Sequence, residues 1–224
     1  TSNATSVQNN IIMYINDMAS STILWQGIYI AGGSVNVGTV TGNKIGASTD
    51  TGSIVVTGNV NPSVVQGINF AGNGTCNIQN NSIGSITVNN SNSAYSNNFY
   101  AINRTNTGTT IIANNLIGST ETSNSINVTS ASTESNQSVF GIRNTTGGSC
   151  TYNSNTIANM SNATTNTTSG TLGLINGILS NYGITTITNN NIFNLTIANN
   201  NTASSSAASV TGIAVASTNA LNTI

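Results

Sequence analysis

The stretch GTCNIQNNSIGSI, residues 74–86, contains the pattern that decides the fold. Two adjacent asparagines, Asn80 and Asn81, lie between Ile78 and Ile83 in a chain that carries almost no charge. Such a pair could bind a ligand, accept a glycan, form a turn or belong to a hydrogen-bonded column of amides. The choice between these possibilities depends on whether the pattern recurs.

The pattern recurs along the whole chain. An apolar residue is followed two positions later by Asn, Gly or Ser, then by Asn, and two positions after that by Ile. The six copies are VQNNII (7–12), VTGNKI (40–45), IQNNSI (78–83), IANNLI (112–117), YNSNTI (152–157) and ITNNNI (187–192). The second asparagine is present in every copy, with successive spacings of 33, 38, 34, 40 and 35 residues, at Asn10, Asn43, Asn81, Asn115, Asn155 and Asn190.

Two further elements share this period. One reads QGIYI (26–30), QGINF (66–70), YAINR (100–104), FGIRN (140–144), NGILS (176–180) and TGIAV (211–215). The other is a looser piece found at SIVV (53–56), SITV (85–88) and SINV (125–128). A period of 33–40 residues with apolar pieces of strand length predicts a solenoid, and the 3.6-residue periodicity of helical repeats is missing. The sequence therefore predicts an all-β fold, a right-handed parallel β-helix of about six coils with three short strands per coil.

The two asparagines of each copy are expected to differ in role. The first position is occupied by Asn, Gly or Ser, namely Asn9, Gly42, Asn80, Asn114, Ser154 and Asn189. These residue types interchange where a corner needs a left-handed or strained backbone. The second position is always Asn, so we expect its side chain to donate to one neighbouring coil and accept from the other. This internal asparagine ladder would satisfy buried groups that otherwise cost about 1–3 kcal/mol each.

The apolar positions beside the asparagines predict a core made of stacked columns. A buried isoleucine in such a column contributes roughly 1.5–3 kcal/mol. The expected columns are Ile78, Ile112, Tyr152 and Ile187; Ile83, Ile117, Ile157 and Ile192; and Ile28, Ile68, Ile102, Ile142, Ile178 and Ile213.

The repeat G-I-x(4–6)-G-x(3)-I-x-N-N-x-I-x(2)-I resembles the secreted right-handed parallel β-helix repeats of large Bacteroidota cell-surface proteins, which belong to the pectate-lyase-like solenoid superfamily. The resemblance covers the chain from Val7 to about Val215. It implies export from the cell and a role as a stalk, adhesin or scaffold.

The composition argues against several classes of function. The 224 residues include 3 Lys or Arg, 4 Asp or Glu and no His, for a net charge of −1. That charge gives no basic field for nucleic acid, and histidine-dependent nucleophilic catalysis is impossible. No apolar run approaches the roughly 18 residues of a membrane span. Because cytosolic proteins rely on charge for solubility, we expect an extracellular or cell-surface location.

Carboxylates are the residues that would reveal a polysaccharide-degrading enzyme. A glycoside hydrolase needs two of them about 5–9.5 Å apart, and Glu121 and Glu134 are the nearest pair in sequence. Arg104 and Arg143 are plausible neighbours of this pair, so we expect a surface ion cluster. We predict that the protein is not an enzyme and has no cofactor or metal site.

The two cysteines are expected to be free and buried. Cys76 and Cys150 are 74 residues apart, which corresponds to two coils, and Thr110 occupies the coil between them. A separation near 10 Å follows from the strand spacing, and it exceeds the reach of a disulfide.

The sequence predicts one β-solenoid domain over residues 1–224, as part of a longer array or as a fibre subunit. We expect an extracellular structural protein, a stalk or adhesin segment or a filament subunit, whose partners are copies of itself, end to end or side by side. A carbohydrate-binding surface protein is the first alternative, with glycan contacts from Trp25, Tyr29, Tyr95, Phe99 and Tyr100. Ice binding is the second alternative, and it needs a Thr-x-Thr column that the chain offers only in part, at 39–41, 109–110 and 186–188.

Overall fold

A computed structural model gives the fold and describes residues 4–19, 22–59, 63–166, 168, 173–198, 201 and 207–224. The described residues form 22 strands and no α-helix. None of their elements is therefore a helix long and apolar enough to cross a membrane. The strands belong to three parallel sheets, and β-branched residues are frequent in them, as expected for strands.

The chain visits the three sheets in a fixed order. The first sheet contains β1 (Thr5–Val7), β5 (Val35–Val37), β9 (Cys76–Gln79), β13 (Thr110–Ala113), β17 (Ser149–Asn153) and β20 (Ile184–Thr188). The second sheet contains β2 (Ile11–Ile12), β3 (Ile15–Ala19), β6 (Lys44–Ile45), β7 (Ile54–Gly58), β10 (Ser82–Ile83), β11 (Ile86–Asn90), β14 (Leu116–Gly118), β15 (Ile126–Ser130), β18 (Thr156–Thr164) and β21 (Asn191–Ile197). The third sheet contains β4 (Ile23–Ile30), β8 (Ser63–Phe70), β12 (Asn97–Arg104), β16 (Gln137–Asn144), β19 (Gly173–Ser180) and β22 (Val210–Val215).

Strands one period apart pair in parallel and in register. In the first sheet, Cys76 pairs with Thr110, and Thr110 pairs with Cys150. In the third sheet, Ile68 pairs with Ile102, which pairs with Ile142. The prediction of an all-β fold built from stacked parallel strands is confirmed, and the arrangement is consistent with a β-solenoid.

The second sheet receives two strand segments per period, where the sequence predicted one. Residues with a left-handed backbone separate the segments, such as Tyr14 (φ 59°) and Ser85 (φ 53°). In β18 the two segments are continuous, although Asn159 (φ 53°) still marks the corner. Extra residues of the two longest periods lie in this connection, at 46–53 and 119–125. The additional residues of these two periods are thus accommodated at this corner without disturbing the strand pairing.

The core contains the three predicted columns together with further buried residues such as Ile86 and Phe99. Ile78, Ile112, Tyr152 and Ile187 are in register and at most 4% exposed. The second and third columns are also in register, but Ile213 is 40% exposed because β22 is the outermost strand of its sheet. These predicted columns are confirmed.

The glycine of the QGI element allows a close approach between neighbouring strands. A Cβ at Gly67 would lie 2.5 Å from the Ala101 carbonyl oxygen and 3.0 Å from Ile83 Cγ2. Five of the six copies of the element carry glycine at this position, and the sixth carries Ala101. Steric exclusion of larger side chains therefore explains this part of the repeat.

Candidate functional site

Side-chain amides connect successive periods at the corner between the first and second sheets. The backbone N–H and the Nδ2 of Asn81 both donate to Asn115 Oδ1, at 3.0 and 2.9 Å. The Nδ2 also donates to the carbonyl oxygens of Val37 (3.1 Å) and Gln79 (2.9 Å). The same Nδ2-to-Oδ1 bond joins Asn10 to Asn43 (2.8 Å), Asn43 to Asn81 (2.8 Å), Asn115 to Asn155 (2.9 Å) and Asn155 to Asn190 (2.9 Å).

The first asparagine of each pair has a different environment. Asn80 is exposed and has a φ of 59°, whereas Asn81 is 1% exposed. The equivalent residues Asn9, Asn114, Ser154 and Asn189 also have φ between 54° and 57°. Gly42 departs from the expectation, because its φ lies outside the left-handed range. There glycine is required by a close approach, since a Cβ would lie 1.8 Å from the Asn80 carbonyl oxygen.

Serines form a second polar column, at the corner within the second sheet. The backbone N–H of Ser53 donates to Ser85 Oγ (2.9 Å), and that of Ser85 donates to Ser125 Oγ (2.9 Å). All three residues are buried. The sequence analysis missed this column, although a signal exists, because the pieces SIVV, SITV and SINV all begin with serine.

Arg104 is fully buried at the corner between the third and first sheets. Its Nε donates to Thr110 Oγ1 (2.9 Å), and its Nη1 donates to Asn144 Oδ1 (2.7 Å) and to the Thr146 carbonyl oxygen (3.3 Å). Its Nη2 donates to the Gly108 carbonyl oxygen. Four neutral acceptors thus hold a buried cation, and they come from two successive periods.

The predicted surface ion cluster is wrong for the described part of the chain. Glu121 and Glu134 are exposed in separate connections, and neither forms an ion pair with a described arginine. The Arg143 guanidinium instead lies 4.6 Å from the centre of the Tyr100 ring, and its Nη1 donates to Asn103 Oδ1 (3.1 Å). Aromatic and amide partners therefore replace the expected carboxylates.

The cysteines are free and buried, as predicted. Burial raises the pKa of the Cys76 thiol to about 12 and that of the Cys150 thiol to about 11, and the opposing effect of the nearby Arg104 charge is smaller. Both thiols are therefore protonated at neutral pH and are poor nucleophiles. Beside them, the Tyr152 hydroxyl is 3.2 Å from Ser180 Oγ, and burial raises its pKa well above the ordinary value.

The five aromatic residues predicted for glycan contact do not share one surface. Phe99 is fully buried in the core and cannot reach a ligand, and Trp25 is partly buried against the same core. Tyr29 is 57% exposed. Tyr100 packs against Phe140 and Arg143 on the face of the third sheet that points away from the core, and Tyr95 is partly buried in a connection.

Threonines do not form a regular outward column in the second sheet. The register there aligns Asn16, Val55, Thr87, Asn127, Ser161 and Thr196. Only two of these six residues are threonine, and they are separated by Asn127 and Ser161. This column therefore lacks the repetition that ice binding was expected to need. Of the stretches expected to contribute, residues 39–41 lie outside the strands, and residues 186–188 lie in β20 of the first sheet. There Thr186 pairs with Thr151 and with Thr223, but Thr151 pairs with Ile111, so the threonine column ends at Thr151.

Metal-binding side chains are also scattered. Within the described ranges, no three His, Cys, Asp or Glu residues lie close enough to hold a metal ion.

No family model, curated protein or solved structure matches this chain. The residues themselves are thus the basis for a functional proposal.

Proposed function

We propose that the chain is a right-handed parallel β-helix of about six coils, with the second asparagines as an internal ladder, and that it serves as an extracellular structural protein. Its role would be that of a stalk or adhesin segment or of a self-assembling filament subunit. The observation that carries the proposal is the unbroken series of amide hydrogen bonds from Asn10 to Asn190.

This series gives every coil the same connection to the next one. Asn43 Oδ1 accepts two bonds from Asn10, and Asn190 Oδ1 accepts the same two bonds from Asn155. Coils can therefore be added without a new type of interface, as in other solenoids. Such a structure is long and rigid, as a stalk or a filament needs to be.

The edges and the surface charge support association with further coils. Each sheet has an outer strand at both ends of its order, for example β4 and β22 in the third sheet. Unpaired strand edges bind other strands readily, whether these belong to the same chain or to another copy. With a net charge of −1, little electrostatic repulsion opposes side-by-side packing.

Duplication of a two-coil unit tests the proposal. A second copy of residues 76–149 would follow residue 149, so that Cys150 still continues a strand equivalent to the one that starts at Cys76. We expect a folded rod lengthened by about 10 Å, because two coils add two strand spacings. Small-angle X-ray scattering measures this length, and electron microscopy shows whether the rods assemble.

A matched control inserts the same residues 76–149 without Thr87, which lies inside β11 between the buried Ile86 and Val88. A deletion inside a strand shifts the register by one position, so one of these core side chains turns towards solvent and this variant should misfold. If both insertions behave alike, or if the first gives a compact particle with no added length and no assembly, the structural proposal is contradicted.

A further inference from the structure

A cleft of about 340 Å³ opens between two successive connections from the third to the first sheet, residues 181–183 and 216–219. Ser180 pairs with Val215, and Thr186 pairs with Thr223. The first connection therefore spans six residue steps from Ser180 to Thr186, whereas the second spans eight from Val215 to Thr223. The two additional residues make the second connection diverge from the first, and the cleft is the space between them.

Hydrogen bonds hold both walls of the cleft in place. Asn144 Nδ2 donates to the Tyr182 carbonyl oxygen (3.1 Å), which ties one wall to the buried network around Arg104. Ser217 Oγ donates to the Gly183 carbonyl oxygen (2.6 Å) and so connects the walls. Asn222 Nδ2 in turn donates to the Ser217 carbonyl oxygen (3.0 Å). The cleft is therefore formed before any ligand binds, which lowers the entropic cost of binding.

Three side chains at the cleft are available to a ligand. Tyr182 is 58% exposed. The side chains of Asn181 and Thr218 form no hydrogen bond with any described residue. Ser217 and Asn219 also line the cleft, but their side chains already form hydrogen bonds within the protein. None of the residues that line the cleft is charged.

We propose that this cleft binds a neutral carbohydrate. The exposed ring of Tyr182 offers an apolar surface for the C–H face of a sugar ring. The Asn181 amide and the Thr218 hydroxyl can each donate and accept hydrogen bonds, as the hydroxyl groups of a sugar require. A volume near the lower end of the range for ligand sites fits a small saccharide or the end of a longer one. An anionic ligand finds no cation among the residues that line the cleft.

This binding site goes beyond the structural role and does not depend on it. If the chain is a monomer that binds a sugar, the binding proposal is supported and the filament proposal is contradicted. If the chain forms filaments but binds no sugar, the filament proposal is supported and the binding proposal is contradicted. The site also differs from the five aromatic residues expected from the sequence, since Tyr182 was not among them.

Saturation-transfer difference NMR on the purified chain tests the proposal. The probes are glucose, galactose, mannose, N-acetylglucosamine and lactose, with glucuronate as the charged comparison. We expect at least one neutral sugar to bind and glucuronate to bind more weakly than glucose. Tyr182→Ala should weaken binding by about tenfold, since an aromatic contact contributes up to roughly that factor, and Asn181→Ala should weaken it by a smaller factor.

Tyr29→Ala is the matched control, because Tyr29 is also exposed (57%) but does not line the cleft. This variant should bind the sugar as the unchanged chain does, and circular dichroism verifies that both tyrosine variants are folded. The proposal is overturned if no neutral sugar binds at tens of millimolar. It is equally overturned if glucuronate binds best, or if Tyr29→Ala weakens binding as much as Tyr182→Ala.

Discussion

Replacement of Asn115 by alanine should destabilise the protein more than most single substitutions. Asn115 is 1% exposed. Its Oδ1 accepts bonds from the backbone N–H and the Nδ2 of Asn81, at 3.0 and 2.9 Å. Its Nδ2 donates to Asn155 Oδ1 (2.9 Å) and to the carbonyl oxygens of Ile78 (2.9 Å) and Ala113 (3.0 Å). The substitution therefore removes five hydrogen bonds at once.

The magnitude follows from these five bonds. The buried N–H of Asn81 loses the acceptor that it has among the described residues, which costs about 1–3 kcal/mol. The bond from Asn81 Nδ2 and the bonds made by Asn115 Nδ2, whose two hydrogens are shared among three acceptors, contribute about 0.5–1.5 kcal/mol for each hydrogen donated. Because the neighbouring coils can relax in part, we expect a loss of about 3–5 kcal/mol in the free energy of unfolding, at the upper end for single substitutions.

Asn114→Gly is the matched control, since it changes the adjacent residue of the same corner. Asn114 is exposed and has a φ of 56°, which glycine adopts without strain. We expect a change within about 0.5 kcal/mol. Urea unfolding followed by far-ultraviolet circular dichroism and by Trp25 fluorescence measures both variants, and agreement of the two probes verifies that unfolding is cooperative. If Asn115→Ala costs no more than Asn114→Gly, the amide column does not stabilise the fold.

Three further substitutions test other parts of the interior. Arg104→Lys should lower the free energy of unfolding by about 2–4 kcal/mol, because an ammonium group cannot replace the fork of guanidinium hydrogen bonds; a urea titration with a loss under about 1 kcal/mol would contradict this. Burial raises the pKa of the Cys76 thiol from 9.0 to about 12, so the contribution of this thiol to stability is constant below pH 9 and is lost as the pH rises towards 12, because the unfolded chain ionises first. Cys76→Val, which introduces the residue found at the paired Val35, should move alkaline unfolding, measured by circular dichroism, to higher pH; an unchanged or lower midpoint would refute the assignment. Asp17 takes the place of the buried Val56 in an outer strand, where an inward carboxylate weakens, without preventing, the end-to-end stacking that the proposed filament needs. Asp17→Val should therefore strengthen self-association in sedimentation velocity, and an unaltered profile would count against that role.

The repeat made the strand stacking predictable from the sequence. Positions that recur at one period must have similar environments, so Ile78 and Ile112 could be placed in one core column before any coordinates were known. The same reasoning placed Thr110 between Cys76 and Cys150, which the register confirms. Periodicity is a strong signal here because each coil repeats the contacts of its neighbours.

Features that occur once could not be predicted in this way. Arg104 shares a register position with Phe70 and Asn144, and the charge alone indicated a surface location. Its burial depends on four acceptors that happen to surround it, which no pattern in one chain reveals. The cleft beside Tyr182 arises from two additional residues in one connection, and a pattern search treats such a difference as variation in loop length.

The number of strand segments was also beyond the sequence pattern. The corner at Ser85 has a left-handed backbone at a non-glycine residue, a conformation for which serine gives little warning. The bend separates β10 from β11 and brings the serine hydroxyl into the column with Ser53 and Ser125. The additional strand segment of each period in the second sheet therefore depends on local backbone geometry and not on the hydrophobic pattern.

Disulfide cross-linking between outward residues measures the stacking register most directly. Thr87 pairs with Asn127, and Thr129 lies two residues further along the same strand. Paired strands are about 4.8 Å apart, within disulfide reach, whereas the offset pair is about 8 Å apart. The native thiols are buried and protonated, so they should not compete. Mild oxidation should cross-link Thr87→Cys with Asn127→Cys but not with Thr129→Cys; equal cross-linking of the two pairs, or cross-linking of the offset pair alone, would contradict the stacked parallel fold.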